Sequence, residues 1–309
     1  LGNDKIKASD GFASIKQEMG TSGVFGGSVV PGYTNLVYFS WLGWEVVNET
    51  NVGLDFRTLN SRLTLEADWY YRLTQNAVIN APLPMGAGNL LGNNGEILNT
   101  GVELSLNWSD KIGKDFSYFI GANLTTLHNE VKDLNGLSYL YGGTAEFRTI
   151  SKVGGELNAY YGHEIAGVYQ NEAEIAADPI AVANDLKPGD FKYVDQNQDG
   201  KIDDKDRVTL GSYIPNFTYG INLGFSYKNF DFSMVMQGVT GNQIVNRKRG
   251  DRRWHSELNY DADQVENRWT GEGSTNSYMS AAGSVNPWNI AKFNSFYVED
   301  GSYFRIQNV

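Results

Sequence analysis

The chain has 309 residues, with 36 acidic side chains against 25 basic ones and a formal charge of -11. With 41 % hydrophobic and 20 % charged residues it belongs to the folded class, and the acid excess argues against a nucleic-acid partner, whose phosphates need clustered Lys and Arg. No apolar run approaches the roughly 20 residues of a spanning helix, and the absence of cysteine excludes disulfide and thiol chemistry.

In chain order, the first clear pattern is Thr50 to Phe56, where Val52, Leu54 and Phe56 oppose Asn51, Gly53 and Asp55. Arg62 to Leu73 follows, with Leu63, Leu65, Ala67, Trp69, Tyr71 and Leu73 against Thr64, Glu66, Asp68, Tyr70 and Arg72. Such period-two alternation predicts strands with one oily and one polar face, and this one has the length of a tilted membrane strand. Val102 to Trp108 and Phe116 to His128 repeat the pattern, with Phe119 out of phase. A turn or two of helix is expected between Asn171 and Asn184, interrupted by Pro179. FTYGINLGFSY and FDFSMVMQG are then joined by only Lys228 and Asn229, and the closing SYFRIQNV alternates once more. Glu66, Asp68 and Glu103 lie inside strands on the polar face, where a dry core makes unpaired charge costly and a watery lumen does not.

The connections alternate short (Arg57 to Ser61, Ser109 to Asp115, Lys228 to Asn229) and long (Thr74 to Gly95, Asn129 to about Pro215, Thr240 to Ser295). Short periplasmic turns and long extracellular loops characterise outer-membrane barrels. The 18 Tyr, 15 Phe, 7 Trp and 35 Gly suit twisted strands with rings at a membrane interface. The fold class expected is therefore all-β, part of a large antiparallel transmembrane barrel with long extracellular loops. The competing reading is a secreted, calcium-binding β-sandwich for adhesion or carbohydrate binding, in which the oily faces meet a second sheet. Without an initiator Met or signal peptide, and with a strand pattern at its end, the chain reads as an internal piece of a longer protein.

Asp195, Asn197, Asp199, Gly200, Lys201, Asp203 and Asp206 occupy positions 1, 3, 5, 6, 7, 9 and 12 of an EF-hand-type loop. Side-chain oxygens at 1, 3, 5, 9 and 12 and the carbonyl of Lys201 would surround a hard cation, Ca2+ or Mg2+. Asp206 stands where EF-hands carry Glu, and the flanks lack the helix pair; the alternative is a solvated Asp/Gly turn. The expected role is structural, pinning a long loop. His128, His163 and His255 show no metal spacing and no nucleophile motif appears, so no enzyme is expected. Loop aromatics Tyr139, Tyr141, Trp254, Trp269, Tyr278 and Trp288 are candidates to stack on a sugar or pack a peptide side chain, or else to fill the loop core. The basic cluster Arg247, Lys248, Arg249, Arg252 and Arg253 reads as a solvated loop.

LGWEVVNETNVGLDF, RLTLEADWYYRLTQN, NGEILNTGVELSLNW, GHEIAGVYQNEAEI, the long run from KPGDFKYVDQNQDGKIDDKD through FSMVMQGVTGN, NRWT and FYVEDGSYFRIQNV resemble, in this order, the C-terminal half of the barrel of SusC-like TonB-dependent outer-membrane transporters. The resemblance implies a plugged, 22-stranded barrel of which residues 1–309 supply a C-terminal part, the plug domain and last strands lying outside the sequence. It further implies a SusD-like surface lipoprotein as partner, TonB acting through the absent N-terminal region, outer-membrane lipid around the wall, and oligosaccharide or peptide as cargo. The cation loop, residues 195–206, carries over as a recurrent family feature. Asn229 departs from the family's Gly in the tight turn, and is expected to supply the positive φ there.

Overall fold

The computed structural model describes residues 15–25, 28–37, 43–82, 89–144, 146–246, 249 and 262–309. In chain order the elements are β1 (Ile15–Phe25), β2 (Ser28–Val37), β3 (Val46–Thr58), β4 (Leu63–Pro82), β5 (Asn89–Ile112), β6 (Phe116–Thr126) and β7 (His128–Leu134). Next come β8 (Tyr139–Gly143), β9 (Arg148–Lys152), β10 (Ala159–His163), β11 (Ile165–Val168), α1 (Glu172–Ala177), α2 (Pro179–Ala183), β12 (Phe191–Tyr193) and β13 (Arg207–Gly211). The chain continues through β14 (Phe217–Tyr227), β15 (Phe230–Thr240), β16 (Gln243–Val245), α3 (Ala262–Asn267), α4 (Pro287–Ile290), β17 (Val298–Asp300) and β18 (Tyr303–Asn308).

The main sheet runs β18-β15-β14-β6-β5-β4-β3, with β7 continuing beside β5. Every pairing is antiparallel. It is an up-and-down meander from which the chain departs twice, between β7 and β14 and between β15 and β18, to build a separate loop assembly. β14 pairs with β15 and with β6 over its whole length without a register shift, Phe217 opposite Thr240 and Thr126, and Tyr227 opposite Phe230 and Phe116. Such strict register holds every side chain on its own face.

Three local expectations need correction. The connection expected from Thr74 to Gly95 is largely strand: β4 and β5 stay paired up to Pro82 and Asn89. A bulge near Ala77, with Asn76 at φ +55° and the Glu45 carboxylate accepting the Val78 N–H at 2.8 Å, lets the hairpin continue past it. Pro179 does not simply end a helix. Asp178 caps α2 through Ile180 N–H, and Pro179 occupies its first turn, where a missing N–H costs nothing. In the β14–β15 turn the positive φ falls on Lys228 (+53°) rather than on Asn229.

The described core has one part in the main sheet, where Ala77, Leu98, Val131 and Leu134 of β4, β5 and β7 are buried, and a larger part in the loop assembly. Tyr169, Ile175, Ala181 and Leu186 form one buried cluster, and Val168, Phe191, Tyr193, Met279 and Ile290 another. Trp288 packs against both. Among the described residues no helix is long and apolar enough to cross a membrane.

Candidate membrane wall and loop site

On the oily side of the main sheet, Val52, Leu54, Ile120 and Phe304 remain 62, 63, 44 and 56 % exposed. Among the described residues no second layer covers them. Aromatic rings collect at the two ends of this face. Near the short turns Phe116 lies 5.9 Å from Tyr118 and 5.8 Å from Phe225, Phe225 lies 5.4 Å from Phe232, and Trp108 Nε1 donates to the Tyr118 hydroxyl at 3.1 Å. At the other end stand Trp69 with Tyr71 at 6.4 Å and Tyr219 with Phe304 at 6.3 Å. Aliphatic residues such as Leu104, Leu106, Ile221 and Leu223 fill the band between. The eleven residues of β14, rising about 3.3 Å each and tilted about 45°, climb about 26 Å, close to the roughly 25 Å apolar belt of a membrane barrel.

The opposite face is polar. Asp55 sits directly across from Glu66, and Asp68 across from Glu103, like-charge pairings that disfavour a sheet unless water or a counter-charge attends them. Arg72 Nε holds Glu49 at 3.0 Å on the same face. Phe119, out of phase in the sequence, lies over Gly224: a Cβ there would come within 2.5 Å of the ring, so the glycine is what admits an aromatic to the polar side.

A buried polar network stitches the two halves of the loop assembly together. Asp190 accepts the Asn289 amide at 2.7 Å, the Asn286 amide at 3.0 Å and the Lys187 N–H at 2.9 Å. Asn289 accepts the Phe191 N–H at 2.8 Å, and the Asn294 amide donates to the Tyr193 hydroxyl at 2.9 Å. Gly189, at φ +94°, passes so close to Ser280 and Trp269 that a side chain has no room. The sequence reading passes over Asp190, Asn289 and Asn294. Their one signal is three asparagines, at 286, 289 and 294, in an otherwise largely apolar stretch.

The predicted aromatic residues separate by burial. Trp269 packs against the core and donates from Nε1 to Gln170 Oε1 at 3.2 Å. Trp288 donates from Nε1 to the Phe191 carbonyl at 2.8 Å, and Lys292 Nζ lies 4.1 Å above its ring; burial holds that amine below the usual lysine range. Tyr278 bonds Asp263 and meets Phe296 edge-on. These three serve the loop interior. Arg249, from the basic cluster, is also folded in, bound to Asp263 and Glu299 with Phe296 beneath it. Trp254, Arg247, Lys248, Arg252, Arg253 and His255 lie outside the described residues. Tyr139 and Tyr141 are different: 47 and 50 % exposed, they form a ladder with Tyr161 at 4.9 and 5.7 Å, with the Arg148 guanidinium 5.1 Å over Tyr141. Partial burial and the neighbouring tyrosine hydroxyls push Tyr141 up to about 12.

The carboxylate loop joins β12 to β13. Gln198 and Gly200 take φ of +58° and +78° and reverse the chain. Asp195 accepts the Gly200 N–H at 2.8 Å, Asn197 the Asp199 N–H at 3.0 Å, and Asp199 the Lys201 N–H at 3.1 Å. Asp206 is fully buried and binds both ends of the loop, accepting the N–H groups of Gln196 at 3.0 Å and Asp203 at 2.7 Å. Among the described residues no three Asp, Glu, His or Cys side chains are gathered into a ready-made metal cluster. His163 is buried beneath the loop with Nε2 2.8 Å from the Asp203 carbonyl, and desolvation lowers its proton affinity. His128 stays on the surface, 3.6 Å from Glu130.

Comparison with known proteins resolves the choice between wall and sandwich. No protein-family model matches the chain. It is 31 % identical over 280 residues to TonB-dependent receptor P26 of Formosa agariphila, and 25 % identical over 285 residues to TonB-dependent receptor SusC of Bacteroides thetaiotaomicron. Each alignment takes in 87 % of this chain, and 27 and 26 % of those proteins. The chain corresponds to part of a SusC-like TonB-dependent receptor. Solved structures of the RagAB peptide importer in its open-open state and of the RagAB peptide transporter superpose with TM-scores of 0.69 and 0.70 at 23 and 22 % identity. They cover 99 and 96 % of this chain and 31 % of the longer ones, so the SusC-like segment has the antiparallel barrel-wall fold of those transporters. It spans about a quarter of the length of the curated relatives, and those relatives are receptors.

Proposed function

We propose that this SusC-like segment forms part of the wall and outer loops of an outer-membrane importer, working with TonB, through a region outside this sequence, and with a SusD-like lipoprotein above the loops. The cargo is an oligosaccharide or a peptide. The observation that carries this reading is the uncovered oily face between two aromatic ends, which only hydrocarbon satisfies without exposing a large apolar surface to water. The short turns then face the periplasm and the loop assembly stands outside the cell. The full-length protein should sediment with outer membranes, require detergent for release and migrate differently on gels after heating. Recovery as a soluble protein without detergent would restore the sandwich.

The carboxylate loop is proposed to hold Ca2+, or Mg2+, through Asp195, Asn197, Asp199, the carbonyl of Lys201, Asp203 and Asp206. The donor set fits: all are hard oxygens, the reversal at Gly200 is the one such loops require, and the four carboxylates repel one another otherwise. The ion would supply charge neutralisation to a connection that Asp206 already closes. Asp199→Ala is expected to speed protease nicking near Gly200 to the rate that a chelator produces in the unmodified protein, with the barrel's heat-shifted migration unchanged. Equal nicking with and without chelator in the unmodified protein would remove the ion from the account.

A further inference from the structure

The sheet order β13-β10-β9-β8 leaves β8 at an edge, with β9 as its sole strand partner among the described residues. Hydrogen bonds from Val153 N–H to the Ser138 carbonyl (3.1 Å) and from Thr144 N–H to the Phe147 carbonyl (3.2 Å) bracket the pairing. In an antiparallel ladder the bonded residues alternate. Positions 138, 140, 142 and 144 therefore turn their backbone groups toward β9, and Tyr139 and Tyr141 turn theirs outward. The same two residues carry the exposed rings that stack toward Tyr161. The strand YLYGG has no lysine, proline or bulge, the devices that usually guard such an edge. Lys152 and Arg148 stand across from Tyr139 and Gly143 at its two ends.

We propose that the outer edge of β8 receives the cargo of the importer as an added strand: an extended, neutral or acidic peptide whose backbone bonds to Tyr139 and Tyr141 and whose alternate side chains lie on the tyrosine ladder. This rests on the reading of the segment as part of an importer, and it selects peptide over sugar. A regular alternation of N–H and C=O is what the edge offers, and only another polypeptide backbone returns it. Lys152 at one end of the strand disfavours a basic peptide there, while Arg148 at the other is paired with Asp204 at 3.7 Å.

The test is amide hydrogen exchange of Tyr139 and Tyr141 in the full-length transporter in detergent, with a pool of random octapeptides lacking Lys and Arg. The same pool methylated at every peptide nitrogen, and maltoheptaose, serve as comparison probes. Exchange at both residues should slow at least tenfold with the plain pool and stay unchanged with the other two. Tyr141→Phe should keep the effect, and Tyr141→Pro, checked for intact heat-shifted migration, should abolish it at Tyr139. Unchanged exchange with the plain pool, or equal slowing by the methylated pool, overturns the proposal. Either result with a protein that fractionates in the outer membrane leaves the importer reading intact, whereas soluble fractionation removes that reading itself.

Discussion

Asp190→Ala is expected to unfold the loop assembly while the barrel strands stay in place. The carboxylate is buried and accepts three donors, from Asn289, Asn286 and Lys187, the first two nearly 100 residues away in sequence. Its removal takes the acceptor from the buried Asn289 amide and from the half-buried donors of Asn286 and Lys187, at about 3–5 kcal/mol for the broken network. The Asn289 amide donor would keep only its bond to the Gly283 carbonyl, which loosens the acceptor for Phe191 N–H. Limited proteolysis of membrane-embedded protein should show new cleavage throughout 160–215 and 270–297, with unaltered heat-shifted migration. A cleavage pattern like that of the unmodified protein would mean that the apolar clusters hold the assembly without the network.

Leu223→Arg should destabilise the folded barrel by about 2–4 kcal/mol, the cost of a cation near the bilayer midplane. Leu223 lies near the middle of β14 on the oily face, directly opposite Ile120 and Met234. Asn222→Arg, one residue away on the polar face and opposite Gly121, should cost far less, because its side chain points away from the oily side. Urea titration of both variants refolded into bilayers measures the difference. Equal destabilisation by the two would contradict the assignment of faces.

What could be read from the sequence was whatever depends on a single strand meeting two different environments. β14 has the bounds its alternation announced, Phe217 to Tyr227, because every second side chain meets the same medium and nothing else competes. The arm formed by the far ends of β4 and β5 was not legible: it leaves the band, loses the oily alternation, and is held by hairpin pairing and by the carboxylate of Glu45. The loop network was hidden for another reason. Asp190 and Asn289 gain their meaning only from each other, and a polar residue in a loop looks the same whether it faces water or a buried partner. Tryptophan behaves alike: Trp269 and Trp288 lie against the core while Tyr139 and Tyr141 lie open, and no local pattern separates the two outcomes. The fifth of the loop's negative ends, Asp204, was likewise passed over, although it joins Arg207 at 2.7 Å and so ties the end of the carboxylate loop to β13.

An importer wall requires lipid on its oily face. Spin labels placed singly along β14 in the bilayer-embedded protein, in a segment that has no cysteine of its own, test it residue by residue. Labels at Tyr219, Ile221, Leu223 and Phe225 should relax with oxygen dissolved in the membrane, and labels at Thr218, Asn222 and Ser226 with a water-soluble nickel chelate. Shielding of the first set from both reagents, as beneath a second protein layer, would contradict it.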